Sequence, residues 1–324
     1  LDYSVVQWDK ESLKDAGIVK IDILGLKMLS LISEAVELTG VDIDSLTFDD
    51  PAVFAMVSEA DTVGVFQVES RAQMQMLPRF RPKSFNDLII AISLIRPGPI
   101  QGQMVHPYIK RRQGKEDVDY PHELLKPALE ETLGVVLFQE QVLKIAHDFA
   151  GFTHGQGEML RRALGSKNGI QLINQLEHVF IEGAMTKGIE RDTAQDVFDK
   201  LRGFGSYSFA KSHAASFAVL VYQSAWLRKY HSLAFFVALL NNHPMGFWSP
   251  SVIVNDAQRH GLTILSVDLN LSGAICTMEN NSLRLGFNYV DGIGDLATEL
   301  ILSERKNRNF TSLDDFCQRT RLVR

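Results

Sequence analysis

Cysteine is scarce in this chain of 324 residues: there are two, Cys276 and Cys317. Two thiols cannot build a disulfide framework, and their spacing is not that of zinc ligands, so a reducing, intracellular setting is expected. The nine histidines form no H-E-x-x-H or Cys/His pattern, and no structural zinc is expected. Uncharged runs of membrane length are missing as well. The longest apolar stretch, 217–240, carries Gln223, Arg228, Lys229 and His231, so it reads as a buried helix or helix pair. There is no Gly-x-x-x-x-Gly-Lys phosphate loop, no internal repeat and no low-complexity tract. No basic–apolar leader opens the chain, and the first residue is Leu1 rather than Met, which suggests a piece of a longer protein.

What is present is globular in composition, 45% apolar and 22% charged, long enough for about two domains. The net charge of −6 argues against a general polyanion binder but hides an asymmetry. Residues 1–70 hold 14 acids and 4 bases, a net −10, whereas residues 71–126 hold 10 bases and 5 acids, a net +5. An acidic block abutting a basic one suits a site that handles phosphate together with a metal ion. Two solvated faces without a ligand would give the same numbers.

The order of elements follows from periodicity. Residues 19–25, Val-Lys-Ile-Asp-Ile-Leu-Gly, read as a short strand with one acid inside an apolar run. Residues 26–38 have helical spacing through Leu29, Ile32, Ala35 and Val36, stopped by Thr39-Gly40. Asp49-Asp50-Pro51 signals a helix start, and 63–68 is a β-rich run. Helices are then expected at 85–95, 122–131, 138–149, 155–164, 169–187, 192–202 and 213–241, divided by breakers such as Arg96-Pro97-Gly98-Pro99, Gly151, Gly165 and Gly203-Phe204-Gly205. Strands return at 263–265 and 282–285, and 286–324 reads as a hairpin followed by a helix. The expected fold is mainly α with minor α+β parts.

Five features can carry chemistry. Asp22, inside an apolar strand, either holds a cation such as Mg²⁺ or faces water beside Lys20 or Lys27; an unpaired buried carboxylate is too costly to keep. Asp42 and Asp44 have Asp-x-Asp spacing but lie in a turn-like stretch after Gly40 and are not read as ligands. Arg96-Pro97-Gly98-Pro99 fixes a tight turn that either presents Arg96 to a phosphate or merely ends a helix. Arg161 and Arg162 point about 100° apart on a helix, and Gly165 lets Lys167 swing to the same side; the plainer role is to complement the helix dipole. Ser212 is a suitable N-cap that would leave backbone N–H groups beside Lys211 and His213, an anion site or simply a capped core helix. Finally, Val290-Asp291-Gly292-Ile293-Gly294, followed by a helix and by Arg305, Lys306 and Arg308, has the helix-hairpin-helix pattern. Its glycines admit a DNA phosphate to backbone N–H groups without reading sequence.

Taken in order, Ile21-Asp22-Ile23-Leu24-Gly25-Leu26, Val65-Phe66-Gln67-Val68-Glu69-Ser70, Arg96-Pro97-Gly98-Pro99, Phe138-Gln139-Glu140-Gln141-Val142, Leu160-Arg161-Arg162-Ala163-Leu164-Gly165 and Lys211-Ser212-His213-Ala214 resemble the bacterial C-family DNA polymerase, the DNA polymerase III alpha subunit. The stretches 238–250 and 256–261 are similar to its error-prone, damage-response paralogue. The resemblance covers nearly the whole chain. It implies the end of a palm at 1–50, helical fingers at 51–245, a connecting α/β segment at 246–283 and the start of a helix-hairpin-helix DNA-binding domain at 284–324.

It further implies that Asp22 is a catalytic, metal-binding aspartate, with its Asp-x-Asp partners upstream of this chain and two Mg²⁺ ions in the complete site. Arg96, Arg161, Arg162, Lys167, Lys211 and His213 would face the incoming nucleotide. Gly292 and Gly294, with Arg305 and Lys306, would hold duplex DNA. Implied partners are primed DNA, a deoxynucleoside triphosphate and, through a longer chain, a sliding clamp and other replication or damage-response proteins, in the bacterial cytoplasm. The chain alone is expected to bind but not to polymerise. Two departures stand out: Gly165-Ser166-Lys167 replaces the frequent Gly-Lys-Lys, and Ala210 stands where the main replicase typically has Asn. A non-catalytic DNA-binding module is the alternative.

Overall fold

The computed structural model describes residues 4–19, 21, 25, 27–96, 105–165, 170–205 and 209–322. Among these residues the architecture is mainly helical, with one small sheet, and is organised around two large apolar cores and a small third one.

The first core gathers helices from both ends of the chain. Met28–Thr39 buries Met28, Leu31, Ile32 and Ala35, and ends at Gly40 in a left-handed conformation. Its stripe begins one residue before the expected Leu29, which is exposed. Pro51–Ser58 starts as its sequence signals: the Asp50 side chain accepts from the Ala52 amide, with Pro in the first turn. Ser70 and Ser84 cap Arg71–Phe80 and Phe85–Leu94 in the same way. Every residue from Leu88 to Leu94 is buried, the mark of a helix covered on all sides. It packs on Lys211–Tyr230.

Three segments differ from expectation. The β-rich run 63–68 forms consecutive turns rather than a strand. Gly64 and Gln67 take positive φ, and the Thr62 hydroxyl donates to the Val68 carbonyl at 2.9 Å. A Cβ on Gly64 would stand 2.5 Å from Leu239, so the backbone there meets packed side chains where a strand would need a partner. The single helix expected at 213–241 is two, Lys211–Tyr230 and Ser232–Asn241, broken at His231. At 122–131 two 3-10 turns flank a four-residue helix, Lys126–Leu129, because Pro127 supplies no amide to continue a ladder. The strand expected at 19–25 lies largely outside the described residues; Val19 and Ile21 are exposed and non-strand.

The second core is built by Gln139–Ala150, His154–Leu164, Ile170–Thr186 and Arg191–Gly205. Phe180 sits at its centre, with ring centroids 5.7 Å from Phe149, 5.8 Å from Phe152 and 5.3 Å from Phe198. Each such pair adds about 0.5–1.5 kcal/mol beyond area burial. Gly183 allows two helices to cross closely, since a Cβ there would lie 2.0 Å from the Ala150 carbonyl oxygen.

After Pro250–Arg259, strands β1 (Ile264–Leu265), β2 (Thr277–Glu279) and β3 (Ser282–Arg284) form a sheet in the order β1-β3-β2. β1 runs parallel to β3, with Ile264 opposite Leu283. β2 and β3 form a hairpin turned by Asn280 and Asn281, both at positive φ, which asparagine tolerates. β2 was not expected, for three residues with a single apolar one, Met278, are too few to show a period. The tail is a 3-10 turn and two helices, Asp295–Asn307 and Leu313–Thr320, rather than a hairpin and one helix. They close over Phe287, Ile301 and Phe310.

Candidate nucleotide site

Arg96 ends the buried Phe85–Leu94 segment with its guanidinium carbon 3.7 Å from the centroid of the Phe209 ring. Among the described residues no carboxylate pairs with it. Burial pulls Arg96 below the ordinary arginine value, and the Phe209 face beneath it offers a cation–π contact. The same Phe209 ring meets His213 edge-on at 5.0 Å, and His213 meets Phe217 at 4.2 Å. Burial first, and then the Arg96 charge, hold the His213 imidazole below its usual value.

Helix Lys211–Tyr230 starts two residues earlier than the Ser212 cap predicts. Its cap position is Ala210, with no side-chain bond of its own. The capping group is instead Glu140, brought from the start of Gln139–Ala150, whose two carboxylate oxygens accept from the Lys211 amide at 3.1 and 3.0 Å. A carboxylate thus occupies the anion position that a helix N-terminus offers. The Lys211 ammonium pairs with Glu131. The adjoining Gln139 amide donates to the Phe209 carbonyl at 2.8 Å, so the two helix starts are stitched together.

Gln141 fixes this turn from inside. Its Oε1 accepts from the Leu137 and Phe138 amides at 2.7 and 2.9 Å, while Nε2 donates to the Ala128 carbonyl and the Thr132 hydroxyl. All its hydrogen-bonding capacity is used within the buried turn.

Arg161 joins the group through Gln139: Nη1 donates to Gln139 Oε1 at 3.1 Å, and Nε and Nη2 donate to the two oxygens of Glu158 at 2.8 and 2.7 Å. Arg162 also donates to Glu158, at 2.8 Å, with its side chain 75% exposed. These hydrogen bonds, Arg161's first, hold the Glu158 carboxyl at about 2. Arg96, Arg161, Lys211 and His213, spread over three sequence segments, therefore gather around one turn and one ring. Phe209, Gln139 and the glutamates Glu131, Glu140 and Glu158 were not read from sequence as members. Only Phe138-Gln139-Glu140-Gln141 carried a signal, as a stretch of the resemblance. Asp22 and Lys167 lie outside the described residues.

The helix-hairpin-helix residues form a separate place. Gly292 has φ +84, Gly294 is the cap residue of Asp295–Asn307, and a Cβ on either would meet nothing within 4 Å. Arg305 donates to the carbonyls of Leu269 and Ser272 at 3.1 and 2.7 Å, bracing the preceding turn, while Lys306 is exposed.

Among the described residues, one grouping has the size of a metal site. Asp61, Asp256 and His260 bring one ligand atom each within 4.8 Å of one another. Arg228 already fills it: Nη2 donates to Asp61 and, at 2.8 Å, to Asp256, and Nη1 donates to the Val63 carbonyl at 3.1 Å. A guanidinium between the carboxylates does the neutralising that a cation would do, so these residues do not fit a resident Mg²⁺. Burial raises Asp61, but the Arg228 charge and the hydrogen bonds from Arg228 and His260 outweigh it and hold the carboxyl below its usual value.

Residues 28–188 match the bacterial DNA polymerase III alpha subunit finger domain, and residues 261–324 match the helix-hairpin-helix motif. The chain belongs to the bacterial DNA polymerase III alpha-subunit family. Its similarity is to the error-prone members. It is 44% identical to the error-prone DNA polymerase of Teredinibacter turnerae, over 99% of this chain and 32% of that protein. The error-prone DNA polymerase of Corynebacterium diphtheriae is 47% identical over 96% of this chain and 30% of its own length. That of Mycolicibacterium paratuberculosis is 46% identical over 98% and 30%. The chain spans about a third of the length of these curated relatives.

Proposed function

We propose that this chain is the fingers of a template-directed DNA polymerase of the error-prone, translesion type, which transfers a nucleotide from a deoxynucleoside triphosphate to a primer 3′-hydroxyl. The observation that carries this reading is the convergence of Arg96, Arg161, Lys211 and His213 on the turn at 138–140. Arg96 has no carboxylate partner among the described residues, and Arg161 and Lys211 rest on partly exposed glutamates. A triphosphate would displace those glutamates and take over the guanidinium and ammonium groups, which are placed to neutralise charge on the transferring phosphates. Arg162, at the same helix end, would add to this, as would Lys167, which lies outside the described residues. Neutral His213, seated between Phe209 and Phe217, would meet the nucleotide as a hydrogen-bonding partner rather than as another charge.

By the same reading, residues 1–50 end a palm, 51–245 are the fingers, 246–283 connect, and 284–324 begin a helix-hairpin-helix domain that holds duplex DNA through Gly292, Gly294 and Lys306. Asp22 would hold Mg²⁺ together with palm aspartates supplied by a longer protein; the ions would activate the hydroxyl and stabilise the leaving pyrophosphate. Attachment to a sliding clamp would also need that longer protein. No helix among the described residues is long and apolar enough to cross a membrane.

The test is primer extension by the full-length protein with Mg²⁺, comparing wild type with Asp22→Asn. Extension that falls by several orders of magnitude in the variant is expected. Equal extension would remove Asp22 from the site. Primed DNA bound by both proteins and extended by neither would replace the polymerase reading with that of a binding module.

A further inference from the structure

The basic block at 71–126 is only partly used by the nucleotide site: of its ten bases, Arg96 alone belongs there. Much of the rest converges elsewhere. An open cleft of about 660 Å³ between the end of Arg71–Phe80 and the end of Val105–Arg112 is lined by Arg79, Arg81, Lys83, Arg111, Arg112 and Lys115, and by no acid among the described residues. Two of these cations are committed. Arg112 pairs with Asp87 at 2.7 Å, and Arg111 pairs with Glu116 at 3.3 Å. Arg79, Arg81, Lys83 and Lys115 are exposed and have no ion-pair partner among the described residues.

The plain account of a basic helix end is that it offsets the helix dipole. Here that need is already met. Arg112 donates to the carbonyls of Phe80 and Arg81 at 2.6 and 3.0 Å, Arg81 donates to the Pro78 carbonyl at 3.2 Å, and Gln113 donates to the Arg79 carbonyl at 3.0 Å. The Arg112 guanidinium also stacks 4.3 Å over the Phe80 ring, which fixes the cleft floor. The remaining like charges repel one another across a concave surface, and such a field is relieved by an external anion.

We propose that this cleft binds the phosphodiester backbone of single-stranded nucleic acid, which in the polymerase reading above is the unpaired template. The cations come from two chain segments, 79–83 and 111–115, and spread over an open surface rather than converging on one point, so a chain of phosphates suits them better than one phosphate. A flexible single strand follows a concavity that a stiff duplex bridges. Phe80, the one aromatic lining residue, is 1% exposed and offers no stacking face, so the contact is electrostatic and indifferent to sequence.

The inference rests on the polymerase reading, and the experiment separates the two. In the full-length protein, Arg79→Gln, Lys83→Gln and Lys115→Gln are combined. Affinity is measured across salt concentrations on primed DNA with a long 5′ template overhang and with a one-nucleotide overhang. On the long overhang Kd should rise roughly tenfold or more, and the slope of log K against log salt should fall by about 2, three contacts at ~0.7 each. On the one-nucleotide overhang, affinity and single-nucleotide incorporation should be unchanged, which also shows that the variant is folded. Unchanged affinity and slope on the long overhang, or equal losses on both substrates, would overturn the assignment. So would polyglutamate competing at lower concentration than oligothymidylate, which would make the partner an acidic protein. Wild-type protein that shows the overhang-dependent binding yet incorporates nothing would keep the cleft and remove the polymerase reading.

Discussion

Among the places where this fold holds arginine against carboxylate, the knots of Arg228 and Arg161 differ in depth. Arg228 is 2% exposed between Asp61 and Asp256, whereas Arg161 is 24% exposed and its Glu158 partner 36%. Both arginines have good geometry and several bonds. Water makes the difference. An exposed pair is worth about 0–1 kcal/mol because solvent competes for both ions, so exchanging Glu158 for a phosphate costs little. A buried pair cannot be exchanged, because removal of one ion strands the other in a medium that cannot solvate it. The deep knot is architecture, and the shallow one is available for binding.

The largest effect that could break this contrast is in Arg228→Met. It should cost about 3–5 kcal/mol, since buried Asp256 loses its buried partner and keeps the exposed Arg259, at 3.2 Å; denaturant unfolding measures it, and a loss below about 1 kcal/mol would put the two knots in the same class. Next, Arg161→Gln should change stability by less than about 1 kcal/mol but weaken nucleotide binding by the full-length protein about tenfold, on the scale of one charge-assisted hydrogen bond. Calorimetric titration reads the binding, and a variant that unfolds instead of binding weakly would reverse the assignment.

Acid offers a gentler probe. Glu158 titrates at about 2 when folded and near 4.3 when unfolded. Its contribution is therefore complete above the unfolded value and lost as pH falls through the folded one, and exposure keeps it small. Carboxyl NMR should find Glu158 still ionised at about pH 3, and in Arg161→Gln its titration should move upward.

The smallest effect concerns His213, held below the ordinary value by burial and then by Arg96. The neutral ring is the favoured folded form, so its contribution is complete above about 6.5, the unfolded value, and fades as pH falls through the lowered folded one. Arg96→Gln should let the His213 NMR titration rise part of the way back; an unmoved titration would mean that Arg96 does not act on the ring.

Local chemistry was legible in the sequence. Asp50-Pro51 marked a helix start, Gly40 a stop, and apolar spacing located most helices, because caps and stripes depend on neighbours three or four residues apart. What escaped depends on distant partners. Glu140 caps a helix that begins 71 residues later, and Arg228 reaches Asp61 across 167 positions. Neither reach leaves a periodic trace. The run at 63–68 was misread as a strand for a related reason: its apolar residues are buried as expected, but Gly64 presses against Leu239, and only the assembled core imposes the turns. Within the candidate site, the basic side chains stood out as charge, whereas the ring of Phe209 looked like any core aromatic.

The 20-residue helix Lys211–Tyr230 is a rod of about 30 Å at 1.5 Å per residue. One end is tethered to the candidate phosphate site through Glu140, and the other is clamped by the Arg228 knot. Packed between those ends against Phe85–Leu94 and Pro51–Ser58, the rod gives Lys211 and His213 a fixed base, so a ligand arriving at that end meets a helix start that is already in place.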